Sequence, residues 1–100
     1  MSKTVIVRYQ TRPDAAEQNV RLLEEVFTAL AKIAPNDFQY TAYRLADDVT
    51  FVHVACHAET GNPLTTLPEF AAFQRELAQR CVQQPEPRPA TVVGSYGRTS

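Results

Sequence analysis

Phe38-Gln39-Tyr40-Thr41-Ala42-Tyr43-Arg44-Leu45, followed after a short break by Thr50-Phe51-Val52-His53-Val54-Ala55-Cys56-His57-Ala58, is the stretch that decides the architecture of this chain. In its second half Phe51, His53, Ala55 and His57 alternate with Val52, Val54, Cys56 and Ala58, the two-residue rhythm of a pleated strand. The first half is rich in aromatic and β-favouring residues, and Ala46-Asp47-Asp48 turns the chain between them, so the two halves predict a hairpin. On its N-terminal side the period changes to helical. Ala16, Val20, Leu23, Phe27 and Leu30, widened by Val26 and Ile33, form one apolar stripe, with Glu17, Arg21, Glu24 and Glu25 turned outward. Thr11-Arg12-Pro13-Asp14 supplies a helix start with a capping hydroxyl and an early proline. Before it, residues 4–10 read as a strand with Val5, Val7 and Tyr9 on one face and Thr4, Ile6, Arg8 and Gln10 on the other.

On the C-terminal side Glu59-Thr60-Gly61-Asn62-Pro63-Leu64 is a loop, and Thr66-Leu67-Pro68-Glu69 reads as a capping box. The helix it opens runs to about Val82 and buries Phe70, Phe73, Leu77 and Cys81. Three prolines make residues 83–89 an exposed connector, and residues 90–96 are expected to form the last strand, with Gly94 and Gly97 beside Tyr96 marking a bend. The resulting β-α-β-β-α-β order predicts an α+β, ferredoxin-like sandwich: a four-stranded antiparallel sheet with both helices on one face. The opposite face then needs a cover, and a second copy of the same chain, as a homodimer, is the expected one.

One hundred residues predict a single domain, residues 1–100. The composition, 44% hydrophobic and 21% charged, is that of a folding chain, and the net charge of −1 gives no electrostatic footprint for nucleic acid or an anionic membrane surface. Met1-Ser2-Lys3-Thr4 runs directly into a strand, and no apolar stretch is long enough to span a bilayer, so a cytoplasmic protein is expected. Cys56 and Cys81 read as reduced core thiols.

His53 and His57 share a strand face, yet at roughly 3.3 Å per residue they lie ~13 Å apart, too far to hold one metal ion, and no metal site is expected. Phosphate loops, dinucleotide fingerprints, CxxC pairs and nucleophile elbows are absent from the sequence; Gly94-Ser95-Tyr96-Gly97 ends a strand instead of leading into a helix. What remains is an imidazole, His53, among aromatic side chains: Phe38, Tyr40, Tyr43, Phe51, Phe73 and Tyr96. Such a lining suits a flat apolar molecule. Histidine exchanges protons near neutral pH, and Tyr40, Tyr43 or Arg44 can hydrogen-bond or balance a phenolate oxygen. His53, Tyr40 and Arg44 are therefore the candidate catalytic residues, with the other aromatics and the loop amide of Asn62 as candidate binding residues. Read as structure alone, the aromatics are core, His53 is a satisfied core or interface group, Arg8 and Arg44 pair with carboxylates or a second subunit, and Asn62 is a turn residue before Pro63.

With Thr50-Phe51-Val52-His53-Val54-Ala55, Asn62-Pro63-Leu64, Glu69-Phe70-Ala71-Ala72-Phe73-Gln74 and Val92-Val93-Gly94-Ser95-Tyr96-Gly97 in this order, the chain resembles the antibiotic biosynthesis monooxygenase-like family over nearly its whole length. The resemblance implies a ferredoxin-like protomer paired sheet to sheet into a dimeric α/β barrel. It also implies oxidation of polycyclic phenols or quinols by dioxygen with no bound metal or flavin, in a pocket between sheet and helices. The chain has no tryptophan, although a pocket tryptophan serves well-studied oxygenases and haem-degrading members of that family, and this disfavours haem degradation. A non-catalytic aromatic-binding dimer and an isomerase-like proton-transfer enzyme use the same pocket and stand as the alternatives.

Overall fold

The computed structural model describes residues 2–59 and 61–97; Met1 and Thr60, part of the N-terminal and loop readings above, lie outside the described residues. Strand β1 (Ser2–Thr11) leads through a short 3₁₀ turn (Pro13–Ala15) into helix α1 (Ala16–Ile33). The hairpin strands β2 (Phe38–Arg44) and β3 (Thr50–Ala58) follow, then a second 3₁₀ turn (Pro63–Thr66), helices α2 (Pro68–Arg75) and α3 (Leu77–Arg80), and strand β4 (Cys81–Ala90). The strands lie in the order β2-β3-β1-β4, all neighbours antiparallel, which is the ferredoxin-like arrangement, and the helices cover one face.

Helix α1 forms because eighteen residues free of Gly and Pro carry an apolar stripe, Ala16, Leu23, Val26 and Leu30, that the sheet buries. It stops at Ala34, which takes the left-handed conformation (φ 43°, ψ 59°) while its N–H returns to the Leu30 carbonyl, and Pro35 prevents continuation. The buried stripe includes Asn19, whereas Val20 and Phe27 are half-buried and Ile33 is exposed. The expected face is therefore rotated by one position. The reason lies in α2 and α3, which flank α1 on the Asn19 side: the Arg80 guanidinium donates to Asn19. In the hairpin, the Asp47 carboxylate accepts the N–H groups of Val49 and Thr50 together with the Thr50 hydroxyl, and these bonds hold it below the usual carboxylate range.

Four local readings of the sequence are corrected. The Thr11 hydroxyl does not cap α1; Thr11 ends β1, buried, and bonds the Val49 carbonyl. The Thr66 hydroxyl likewise bonds the Pro63 carbonyl, and α2 begins at Pro68 with Leu67 as its N-cap residue and no side-chain cap. The second helix does not run on to Val82 but breaks at Glu76. Finally, the last strand is β4, Cys81–Ala90, where a connector was expected, and the segment after it lies outside the sheet with Val93 and Tyr96 fully exposed. Proline normally disqualifies a strand because it lacks an N–H, but β4 is an edge strand and Pro85, Pro87 and Pro89 recur every second residue. Pro85 falls in the register shift between the Glu86 and Gln83 pairings, where the ladder is interrupted and no donor is called for, while the ring nitrogens of Pro87 and Pro89 point the same way. Pairing with β1 continues through Pro87 (opposite Val7) and Pro89 (opposite Val5), so that way is the outer edge, where no donor is needed and further strand pairing is blocked.

Among the described residues no helix is long and apolar enough to cross a membrane. Both cysteines are free thiols.

Candidate functional site

The register of the sheet places three polar aromatic side chains on the helix-covered face. His53, in the central strand β3, stands directly opposite Val7 of β1 and Ala42 of β2. These small neighbours leave room beside the imidazole, and the diagonal positions, Tyr9 and Tyr40, are close enough for long aromatic side chains to reach it. The Tyr9 hydroxyl lies 2.8 Å from His53 Nε2 and the Tyr40 hydroxyl 2.7 Å from Nδ1, so both ring nitrogens are occupied by phenols. Phe73 of α2 covers the ring at 5.7 Å, and Phe51 stacks on Tyr9 at 5.5 Å. With only 5% of its surface exposed, His53 loses the solvation that would stabilise its cation; its pKa falls to about 4, and the ring is neutral at physiological pH. Burial raises both tyrosines well above the ordinary phenol range, so both hydroxyls keep their protons.

The cluster continues inward. The side-chain amide of Asn19 donates to the Tyr9 oxygen (2.8 Å), and Arg80 Nε donates to Asn19 Oδ1 (3.1 Å). Arg80 Nη2 donates to the Phe73 carbonyl (2.7 Å), one of the last-turn carbonyls that the break after Arg75 leaves without a helical partner, and the guanidinium lies over the Phe73 ring at 5.1 Å. Leaving any of these groups unpaired would cost about 1–3 kcal/mol, and every buried side-chain nitrogen and oxygen among the described residues has a partner.

Two recesses open along the edge where α1 meets β2, on either side of Phe27. One, about 300 Å³, is lined by Phe27, Leu30, Ala31, Pro35, Phe38 and Tyr40. The other, about 180 Å³, reaches from Val20 and Leu23 to Ala42, Tyr43, Arg44 and Phe51. The Phe27 ring stacks on Tyr40 at 5.2 Å and forms the wall between them.

Of the residues singled out in the sequence, the structure brings His53, Tyr40 and Phe73 into direct contact and sets Phe38 beside Tyr40, ring centroids 6.0 Å apart. Arg44 lies at the far recess, ion-paired to Glu17 at 3.0 Å with its guanidinium 5.9 Å from the Phe51 ring centre. Tyr43 lines the same recess while half exposed, and Phe51 is buried beneath. Asn62 stands apart: its Oδ1 accepts the Leu64 N–H, and it lines a separate, polar recess of about 390 Å³ between the loops after α1 and β3. Tyr96 is in solvent, away from both α1–β2 recesses. His57 points its Nδ1 at the Ala58 carbonyl, and among the described residues no group of three His, Cys, Asp or Glu side chains is placed to hold a metal ion.

Sequence reasoning did not single out Tyr9, Asn19 and Arg80. A signal existed: Asn19 sits three residues after Ala16 and four before Leu23, and Arg80 three after Leu77, so each is a polar residue at a spacing otherwise filled by core residues.

No family sequence model matches the chain, and no curated protein matches it by sequence. Solved structures do match. A protein of Bacteriodes thetaiotaomicron, provisionally named as an antibiotic biosynthesis monooxygenase, superposes with a TM-score of 0.80 at 15% identity over 99% of this chain and 96% of its own. SnoaB of Streptomyces nogalater, a cofactor-independent oxygenase, gives 0.70 at 16% identity over 97% and 98%. A protein of unknown function from Nitrosomonas europaea gives 0.74 at 15% identity over 100% and 98%. The chain thus has the ferredoxin-like fold of structures of the antibiotic biosynthesis monooxygenase type.

Proposed function

We propose that the protein is a cofactor-independent monooxygenase acting on a phenolic, quinol or polycyclic aromatic small molecule. The observation that carries this reading is the Tyr40–His53 pair: a hydroxyl bonded to a buried neutral imidazole, in the wall of an aromatic recess. The fold it shares with SnoaB supports it. A flat ring slides between α1 and β2 against Phe27 and Phe38, and its phenolic oxygen meets the Tyr40 hydroxyl. His53 backs that hydroxyl, and Arg44, in the second recess beyond Phe27 and ion-paired to Glu17, adds only longer-range balance of negative charge. Stabilised as its anion in a largely apolar site, the substrate is electron-rich enough to reduce dioxygen itself. For an anthrone-type methylene the balance is CH₂ + O₂ → C=O + H₂O. The four electrons come from the substrate carbon, one oxygen atom enters the product and the other leaves as water, so no external reductant is consumed.

Oxygen uptake by the purified protein over a panel of phenols, hydroquinones and anthrones is the test. Uptake matched to quinone formation is expected, reduced at least tenfold in Tyr40→Phe, in line with loss of a hydrogen bond to a charged oxygen. Thermal stabilisation by the same compounds without uptake would leave a binding protein instead, and uptake unchanged in Tyr40→Phe would remove Tyr40 from the chemistry.

We further propose that the working form is a homodimer paired through the sheet face opposite the helices. That face carries Ile6, Val52, Val54 and Cys56, all only half-buried in the single chain. Sedimentation at micromolar concentration is expected to give twice the chain mass; a monomer would count against a buried sheet face.

A further inference from the structure

We infer that Arg80 and Asn19 act as positioning residues that fix the direction of the buried hydrogen-bond chain, so that Tyr40 presents a hydrogen-bond donor, not an acceptor, at the cleft. The argument uses only what each group is able to do. Arginine has donors and no acceptor, so the Asn19 atom 3.1 Å from Arg80 Nε must be the amide oxygen. The amide nitrogen of Asn19 then faces Tyr9 and donates to its oxygen. Tyr9 is 1% exposed, and its other polar contact is His53 Nε2, so its own hydrogen goes there. A neutral imidazole that accepts at Nε2 carries its hydrogen on Nδ1 and donates it to the Tyr40 oxygen. The Tyr40 hydrogen is left uncommitted, on the one member of the chain that lines a recess.

The opposite direction fails at Tyr9. Were Nε2 protonated, the Tyr9 oxygen would accept from both His53 and Asn19, and its own hydrogen would be buried with no acceptor. Each inner link therefore depends on the one behind it, beginning with a cation that has no alternative role. For the proposed oxygenase the consequence is specific, and this part rests on that reading: the cleft recognises an aromatic oxygen as an acceptor, best as a phenolate, and His53 acts through Tyr40 without itself removing the substrate proton.

Asn19→Asp reverses the chain while keeping shape and giving Arg80 a carboxylate partner. A carboxylate only accepts, so Tyr9 would donate to it, take the hydrogen of His53 Nε2, and leave Nδ1 to accept from Tyr40. Two-bond proton–nitrogen correlation spectra of protein labelled in histidine read this directly. The expected result is Nδ1–H for His53 in the native chain and Nε2–H in Asn19→Asp, with Arg80→Lys, which restores a donor, keeping the native form. Nε2–H in the native protein, or no switch in Asn19→Asp, would overturn the inference. In parallel, 4-nitrophenol reports ionisation by its absorbance. The native protein should bind the phenolate form, and Asn19→Asp should bind it roughly tenfold more weakly. The tautomer switch without any phenolate binding would uphold the chain's direction and remove the aromatic-oxygen reading of the cleft.

Discussion

Lowering the pH from 7 to 4 is expected to remove about 3 kcal/mol of stability through His53 alone. In the unfolded chain its imidazole titrates near its ordinary value of 6.5, whereas in the folded protein burial brings it down to about 4. Between these values the unfolded state binds a proton that the folded state does not, so stability rises with pH across the window. The contribution is complete above 6.5 and is lost as pH falls towards 4. Each unit of separation is worth about 1.4 kcal/mol, which sets the size of the effect. Urea unfolding at a series of pH values, in the native protein and in His53→Gln, isolates this residue from the carboxylates that titrate nearby. The native protein should lose about 3 kcal/mol more than the variant between pH 7 and 4. Parallel curves would mean that the folded state protonates His53 as readily as the unfolded chain does.

Phe73→Ala is expected to cost about 3–5 kcal/mol, a large part of what holds a domain of this size together. Its ring is 2% exposed and touches three different parts of the structure: the His53 imidazole, the Phe70 ring at 6.0 Å and the Arg80 guanidinium. Truncation removes the apolar burial and opens a cavity beside a neutral histidine and a buried cation. Phe70→Ala, at a half-buried position on the same helix, is the control and should cost clearly less. For a chain of this length the Phe73 variant should melt roughly 12 °C or more below the native protein. Equal effects at the two positions would show that Phe73 is no keystone between α2 and the sheet.

The elements were legible where the pattern of burial is set by one neighbour. α1 shows its helical period over eighteen residues because it presents one face to the core and one to solvent, and β3 its alternation over nine because successive side chains go to opposite faces of the sheet. β4 was not legible, since its prolines argue against a strand until one knows that it lies on the edge, with its missing donors facing outward. The end of the second helix was also hidden: the break at Glu76 goes with a long-range arrangement in which Arg80 reaches back to the Phe73 carbonyl and across to α1.

The candidate site divides in the same way. His53, Tyr40, Phe38 and Phe73 were singled out by residue type, a property of the chain read in order, whereas Tyr96 proved to lie in solvent and Tyr9 took a place that the sequence reading had not given it. The remaining partners that define the chemistry of His53 do not follow from residue type. Tyr9 is 44 residues from His53 and Asn19 is 61 from Arg80, and their hydrogen bonds exist only because antiparallel register and helix packing bring them within about 3 Å. The sequence by itself determined the order of elements and a sheet covered by helices on one face, because local periodicity encodes the type of each element, whereas the face that carries the imidazole followed only from the sheet register and the cover of Phe73. Only the tertiary structure decided that this imidazole is neutral, held between two phenols and tied to a buried arginine, because burial, electrostatic environment and hydrogen-bond direction are set by groups far away along the chain.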